Sequence, residues 1–172
     1  MLIDGASGGV GTFAIQIAKS FATEVTAVCS TTKLDIALSI GADYVIDYTQ
    51  EDFSKNGLRY DLIFVANGNH SVFQYKHSLT PNGNCVMAGG EGSLSGLFKD
   101  MLLGLWISKT SDNKIIPFVA NINQGDLFFL KQLVEAGKIK PVIDRRYQLS
   151  DVPDAIRYLE EGHAKGKVII TV

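Results

Sequence analysis

Leu2-Ile3-Asp4-Gly5-Ala6-Ser7-Gly8-Gly9-Val10-Gly11-Thr12-Phe13 is the stretch that decides the fold of this 172-residue chain. Leu2-Ile3 reads as a strand stub and Gly5 to Gly11 as a glycine-rich turn. From Val10 to Phe21, Phe13, Ile17 and Phe21 recur at helical spacing, with Ala14 and Ala18 on the same stripe. Strand, glycine turn and helix in that order make an anion cradle. Backbone N–H groups approach closely where no Cβ intervenes, and the helix start adds partial positive charge. In G-x-G-x-x-G the glycines give the tight turn, the close approach to a pyrophosphate and the helix–strand packing. In that frame Ala6 replaces the first glycine, while Gly8 and Gly11 keep the others. A tight turn with no ligand is the bland alternative. The second strand–helix unit that follows favours the cradle.

Working outward, Glu24 to Cys29 reads as a buried strand, Asp35 to Ile40 as a helix closed by Gly41, and Tyr44 to Asp47 as a third strand. Asp61 to Ala66 is almost wholly apolar, as suits a fourth strand covered on both faces. A helix near Val72 to Leu79 leads through Pro81-Asn82-Gly83 to a fifth strand, Asn84 to Ala88. Lys114 to Ala120 is a sixth. Helices follow at Asp126 to Ala136 and at Ser150 to Glu161, the latter with Ser150 as N-cap, and Val168 to Val172 is a last strand. Strand–helix alternation with short connections predicts an α/β fold: a Rossmann-type doubly wound parallel sheet in three layers, α/β/α. Glycines gather at Gly5 to Gly11 and Gly89 to Gly96, at strand ends where open α/β sheets take ligands. Between Gly89 and Asn113, the residues Leu97, Phe98, Met101 and Leu102 suggest a short helix, serving as a lid or an oligomer contact.

The end of the second strand separates two cofactors. An NAD-type site places a carboxylate there, about 20 residues beyond the turn, to accept from the ribose 2′-hydroxyl. This chain has Cys29-Ser30-Thr31-Thr32-Lys33, without an acid. Three hydroxyls and an ammonium suit a 2′-phosphate, which needs donors. The expectation is therefore NADP(H), with NAD(H) second; a polar loop with a solvated Lys33 is the alternative.

Bulk properties bound the rest. At 46% apolar and 20% charged the chain is globular, and its length suits one domain rather than two. A net charge of -2 supplies no electrostatic attraction for nucleic acid or an anionic membrane. No apolar run approaches the roughly 18–20 residues of a membrane span. Asp4 and the glycines interrupt any signal-peptide pattern at the start. Cys29 and Cys85 lie far apart in apolar contexts and read as buried thiols of a reducing compartment, a disulfide being the alternative. Together these readings predict a cytoplasmic domain. The two cysteines and His70, His77 and His163 show no zinc-ligand spacing, so no metal is expected.

Two long runs carry a family resemblance. LIDGASGGVGTFAIQIAKSFATEVTAVCSTTKLDIALSIGADYVIDYTQEDF, from Leu2, resembles the cofactor domain of medium-chain dehydrogenases/reductases, in their zinc-free quinone oxidoreductase branch. LVEAGKIKPVIDRRYQLSDVPDAIRYLEEGHAKGKVIITV, from Leu133, resembles that family's closing segment. The resemblance implies one dinucleotide-binding domain over 1–172, with a Rossmann core at 1–138 and a closing segment at 139–172. It also implies that the family's N-terminal catalytic domain is absent. Ser7, Gly8, Gly9, Val10 and Gly11 would hold the pyrophosphate, Ser30 and Lys33 the adenosine 2′-phosphate, and Tyr48 would lie near the adenine. Ala66, Asn67 and Gly68, with Ala88, Gly89 and Gly90, would line the ribose and nicotinamide side, and His163-Ala164-Lys165-Gly166 would fold back over the cofactor. Relatives usually end the fourth strand on an Asp-Ala-Val-Gly-like run, where this chain has Val65-Ala66-Asn67-Gly68-Asn69. Tyr48 as a surface tyrosine and His163 as a solvated helix-end residue are the plain alternatives, and Trp106 and Phe128-Phe129 read as core or interface packing.

In the resembled branch, hydride passes between NADPH and a quinone, an enone or a related carbonyl compound. No catalytic residue is nominated in this chain, which alone is expected to be inactive. The segment Lys140 to Arg146 would normally reach the catalytic domain, so its side chains should be exposed here. Lys114 to Ala120 is expected to pair with a second copy in a homodimer. Two rival readings stand beside this one. Short-chain dehydrogenases need Tyr-x-x-x-Lys for acid–base work. The residues four beyond the six tyrosines are Tyr48, Asp52, Phe64, Leu79, Asp151 and Gly162, none a lysine. The other rival is a stand-alone, non-catalytic dinucleotide-binding module acting as a sensor or scaffold.

Overall fold

The structure, a computed structural model, describes residues 1–68, 70–89, 94–162 and 164–172, and within 94–100 the backbone alone. Its first half is a succession of short parallel strands and helices: β1 (Leu2–Asp4), α1 (Gly11–Ser20), β2 (Thr26–Cys29), α2 (Leu34–Ser39) and β3 (Tyr44–Asp47). The chain then crosses to β4 (Tyr60–Val65), α3 (Val72–His77), β5 (Leu79–Met87), α4 (Leu94–Thr110) and β6 (Lys114–Pro117). All six strands are parallel, in the order β3-β2-β1-β4-β5-β6. The winding direction reverses between β1 and β4, and such a switch opens a crevice beyond the strands' carboxyl ends.

Apolar side chains bury both faces, which is why the strands read as nearly continuous hydrophobic runs. On one face Leu2, Ile63 and Val65 pack with Val72 and Tyr75 of α3 and Ile107 of α4. On the other, Ile3 and Ala27 pack with Ile15 and Ala18 of α1 and Ala37 of α2. Ile15 is completely buried, and truncation to alanine there costs about 2–5 kcal/mol. The expected α/β Rossmann fold is therefore present.

The remainder is α5 (Gln124–Glu135), β7 (Ile143–Gln148), α6 (Val152–Glu160) and β8 (Lys167–Thr171). β7 and β8 pair in parallel as a separate two-stranded sheet. Gln16 ties this segment to α1. Its Nε2 donates to the Lys140 carbonyl at 3.0 Å, and its Oε1 accepts from the Lys140 amide at 2.8 Å.

Several local expectations are corrected. The apolar stripe of α1 divides: Ala18 is buried with Thr12, Ile15 and Gln16, whereas Phe21 is exposed and stacks on Phe129 of α5 at 6.1 Å. The short helix expected around 97–102 is the 17-residue α4. β6 is shorter than the expected Lys114 to Ala120: it ends at Pro117, and the Phe118 amide makes a last bond to the Met87 carbonyl at 2.9 Å. Ser150 does not cap α6; its hydroxyl donates to Asp151, and a proline in the first turn begins the helix. Trp106 and Phe128 are exposed, which removes the core alternative and leaves the interface one, and β7 is largely exposed, as expected for Lys140 to Arg146. Among the described residues no helix is long and apolar enough to cross a membrane.

Candidate functional site

The turn between β1 and α1 is built by close backbone approach. Gly5 adopts φ +80°, and a Cβ there would stand 2.6 Å from the Asn67 amide. A Cβ on Gly11 would run into the Gly5 carbonyl and Ala6, so the helix start packs directly on the strand end. The Thr12 amide and hydroxyl both donate to the Gly8 carbonyl at 3.1 Å. No side chain caps the first turn of α1, which begins after Val10. Uncapped N–H groups at a helix start are what an anion binds.

This turn forms one wall of a cavity of about 190 Å³ at the β1/β4 switch. Ser7 and Gly8 line it from the turn, Ser30 and Lys33 from the end of β2, and Tyr48 from the end of β3. Asn67 and Gly68 contribute from the end of β4, and Gly162 and Ala164 from the closing loop. Eight residues expected from the sequence thus share one cavity: Ser7, Gly8, Ser30, Lys33, Tyr48, Asn67, Gly68 and Ala164.

The others stand apart from its lining. Gly9 and Val10 instead border an apolar groove with Phe13, Ile17, Leu130 and Val134. Gly11 serves the packing described above. Ala88 and Gly89 donate to the Val65 carbonyl, and Gly89 lies so close to Ala66 that a Cβ would strike its carbonyl. Lys165 and Gly166 fasten the closing loop. The Lys165 amide donates to Asp144 Oδ2 at 2.8 Å, and Gly166, at φ +128°, leaves no room for a Cβ beside the Val142 carbonyl. Gly90 and His163 lie outside the described residues.

The hydroxyls after β2 divide. Thr31 donates to the Asp47 carboxylate and so faces β3, leaving Ser30 and Lys33 at the cavity. Lys33 Nζ donates to the Ala164 carbonyl at 3.4 Å, joining the end of β2 to the closing loop. Burial lowers the Lys33 pKa, with Cys29 opposing and nearby Lys165 assisting. Burial also pushes the Cys29 thiol up to about 11, with Asp47 adding to it. Asp144 is raised by burial but lowered more by the Tyr158 hydroxyl, 2.6 Å away, and the Lys165 amide, so it lies below its ordinary value. It thereby anchors the loop as a carboxylate.

Besides Gly162, three residues escaped the sequence reading. Lys167, the first residue of β8, brings its Nζ to the glycine turn, 2.9 Å from where a Cβ on Gly9 would stand. Asp4 and His70 also line the cavity. Asp4 gave no signal because a lone acid beside a glycine turn has no motif. His70 stands out in the sequence only as a possible metal ligand, and it lacks zinc-ligand spacing. Among the described residues, no three His, Cys, Asp or Glu side chains gather in a way that could hold a metal ion.

Comparison with known proteins agrees with this architecture. Residues 40–170 match the family model described as zinc-binding dehydrogenase. The chain is 33% identical to the chloroplast envelope quinone oxidoreductase homolog of Arabidopsis thaliana, over 99% of this chain and 51% of that protein. It is 34% identical to the chloroplastic NADPH-dependent alkenal/one oxidoreductase of the same plant, over 99% of this chain and 40% of that one. The solved quinone oxidoreductase of Coxiella burnetii superposes with a TM-score of 0.81 at 26% identity, covering 99% of this chain and 52% of that one. The chain spans about half the length, or less, of these relatives. It belongs to the zinc-binding dehydrogenase family of medium-chain dehydrogenases/reductases, in the quinone oxidoreductase-like branch.

Proposed function

We propose that this chain is the NADP(H)-binding domain of an oxidoreductase that moves hydride between NADPH and a quinone, an enone or a related carbonyl substrate. The carrying observation is the single cavity in which the glycine turn, Ser30 with Lys33, and Asn67 with Gly68 meet at the switch point. The turn fits a dinucleotide because its glycines occupy places that a Cβ would fill. At about 190 Å³ the cavity is smaller than the roughly 300–1,000 Å³ of whole small-molecule sites, which suits one nucleoside end of an extended ligand.

In this reading the amides of Ser7 to Gly11 and the Lys167 ammonium hold the pyrophosphate. Ser30 and Lys33 donate to the 2′-phosphate, and Tyr48 lies beside the adenine. Ala66, Asn67 and Gly68 border the ribose, with Ala88, Gly89 and Gly90 towards the nicotinamide. The closing loop at Ala164, Lys165 and Gly166 folds back onto the cofactor, joined to Lys33 through the Ala164 carbonyl. The bound cofactor supplies the hydride; the protein supplies orientation and electrostatics. Substrate contacts and proton delivery are assigned to a catalytic domain outside this chain, with 1–138 as Rossmann core and 139–172 as closing segment. The described residues provide no zinc donor set, and no step is assigned to zinc.

The quinone and alkenal/one oxidoreductase relatives support an enzyme over a stand-alone binding module. We also propose a homodimer through β6, an edge strand of the sheet beside the exposed Phe118 and Val119. The cytoplasmic assignment rests on two buried free thiols, although some relatives are chloroplastic or mitochondrial forms. The test is the full reading frame, expressed and supplied with NADPH and a quinone or an α,β-unsaturated ketone. NADPH oxidation dependent on the acceptor is expected, with none from the present chain alone. NADPH left intact with every acceptor, or a reading frame with no further domain, contradicts the proposal.

A further inference from the structure

The cofactor reading leaves one buried carboxylate unexplained. Asp4 is 5% exposed, at the end of β1, and its register partner on β4 is Val65. Tyr75 Oη donates to Asp4 Oδ2 at 2.8 Å. His70 Nδ1 stands 3.6 Å from the same oxygen and has no hydrogen-bond partner. The imidazole is held from its other side, with Nε2 3.2 Å from Asp52 Oδ1 and the ring 4.5 Å from Phe53. Cys85 of β5 also faces this cluster, its thiol pushed up to about 12 by burial and by Asp4.

Gly68 passes over the cluster. A Cβ there would run into Tyr75 Oη and stand 2.5 Å from Asp4 Oδ2. The Asp4 carbonyl meanwhile accepts from the Ala66 amide at 2.9 Å and the Asn67 amide at 3.3 Å. One residue thus ties the end of β4 through its backbone and floors Gly68 through its side chain. Burial raises the Asp4 pKa against the opposing Tyr75 and His70 contacts, so the fold bears a cost for this carboxyl group. Packing alone is served as well or better by an apolar side chain. The polar group therefore calls for a role that an apolar one does not fill.

We propose that Asp4 is a positioning residue of the dinucleotide site, acting through Tyr75 and His70 to fix Asn67 and Gly68 as the ribose-side wall. This rests on the cofactor reading of that cavity. The wall is common to both nicotinamide dinucleotides, so loosening it weakens NADPH and NADH together.

The experiment measures NADPH and NADH affinity, melting temperature and ligand-free amide hydrogen exchange in Asp4→Leu, Asp4→Asn and Tyr75→Phe. Asp4→Leu and Tyr75→Phe are expected to weaken both dinucleotides about tenfold, the scale of one buried hydrogen bond. Exchange at Ala66 and Asn67 should quicken in both. Asp4→Asn keeps an acceptor for Tyr75 and should recover the lost affinity, with a melting temperature at or above that of the wild type. A folded Tyr75→Phe with wild-type affinity for both dinucleotides overturns the proposal, as does Asp4→Asn binding as weakly as Asp4→Leu. If Asp4→Leu does not fold, Tyr75→Phe decides. A wild-type chain that binds neither dinucleotide contradicts the cofactor reading itself. In that case unchanged loop exchange in Tyr75→Phe separately overturns the clamp.

Discussion

Lys167 Nζ stands 2.9 Å from the point a Cβ on Gly9 would occupy, so the first residue of β8 sets an ammonium on the glycine turn between β1 and α1. The same ammonium is 5.7 Å from the centre of the Phe13 ring. A residue near the end of the chain and one near its start thus meet at the same turn.

Replacing Lys167 by methionine keeps the stem over Phe13 and removes the charge. Affinity for NADPH and NADH should fall together, by about tenfold, since a hydrogen bond to a charged group contributes about 1.5–3 kcal/mol. The loss should shrink as salt rises. Calorimetry at two ionic strengths checks this, and unchanged binding would remove Lys167 from the site.

Lys33 should behave differently. Its partner in the reading is the 2′-phosphate, which NADH lacks. Lys33→Met is expected to weaken NADPH about tenfold or more while changing NADH less than about threefold. Equal losses for the two dinucleotides would detach Lys33 from the 2′-phosphate.

Gly11→Ala meets backbone rather than a yielding side chain, because the added Cβ runs into the Gly5 carbonyl. The expected cost is about 1–3 kcal/mol of stability, with loss of dinucleotide binding as the turn is displaced. Chemical denaturation and titration of the same sample measure both. A variant with wild-type stability and affinity contradicts the packing described for this turn.

Asp4 makes a prediction about pH. Burial raises its folded-state pKa above the unfolded value. Its contribution is then fully present below the unfolded pKa and is lost as pH rises through the folded value. Asp52 is shifted the other way, lowered chiefly by the Ser54 hydroxyl, so whole-protein stability mixes opposite trends. The difference between Asp4→Asn and wild type isolates Asp4. Melting temperatures should increasingly favour Asp4→Asn as pH rises from about 4, near the ordinary carboxylate value, towards neutrality. A gap that is constant, or that narrows, contradicts the raised pKa.

Val119 is 87% exposed just beyond β6, so a charge there does not disturb the core. Val119→Asp should leave the melting temperature of the monomer unchanged and convert a dimer to monomer in analytical ultracentrifugation. A wild-type chain that sediments as a monomer rejects the β6 interface.

The parallel sheet was legible because two-faced burial writes apolar strands and the glycine turn marks where the first of them ends. Ser30 and Lys33 were legible through position, since they follow a strand whose carboxyl end opens on the crevice, and Tyr48 through the family resemblance. What the sequence hid depends on tertiary register. Asp4 faces Val65 only because β1 and β4 are neighbours. Lys167 reaches Gly9 only because β8 returns past the start of α1. Nothing in the sequence marks Gln16, yet its amide is buried against Lys140, 124 residues away. The stripe of Phe13, Ile17 and Phe21 gave the period of α1 but not what it packs on, since Phe21 meets Phe129 of α5.

The most direct measurement is a calorimetric titration of this chain with NADPH and, in parallel, with NADH. NADPH binding at least tenfold tighter than NADH is the expected result, since one charge-assisted contact to the 2′-phosphate supplies that much. Equal affinities would contradict the assignment of Ser30 and Lys33, and no binding of either would contradict the dinucleotide site itself.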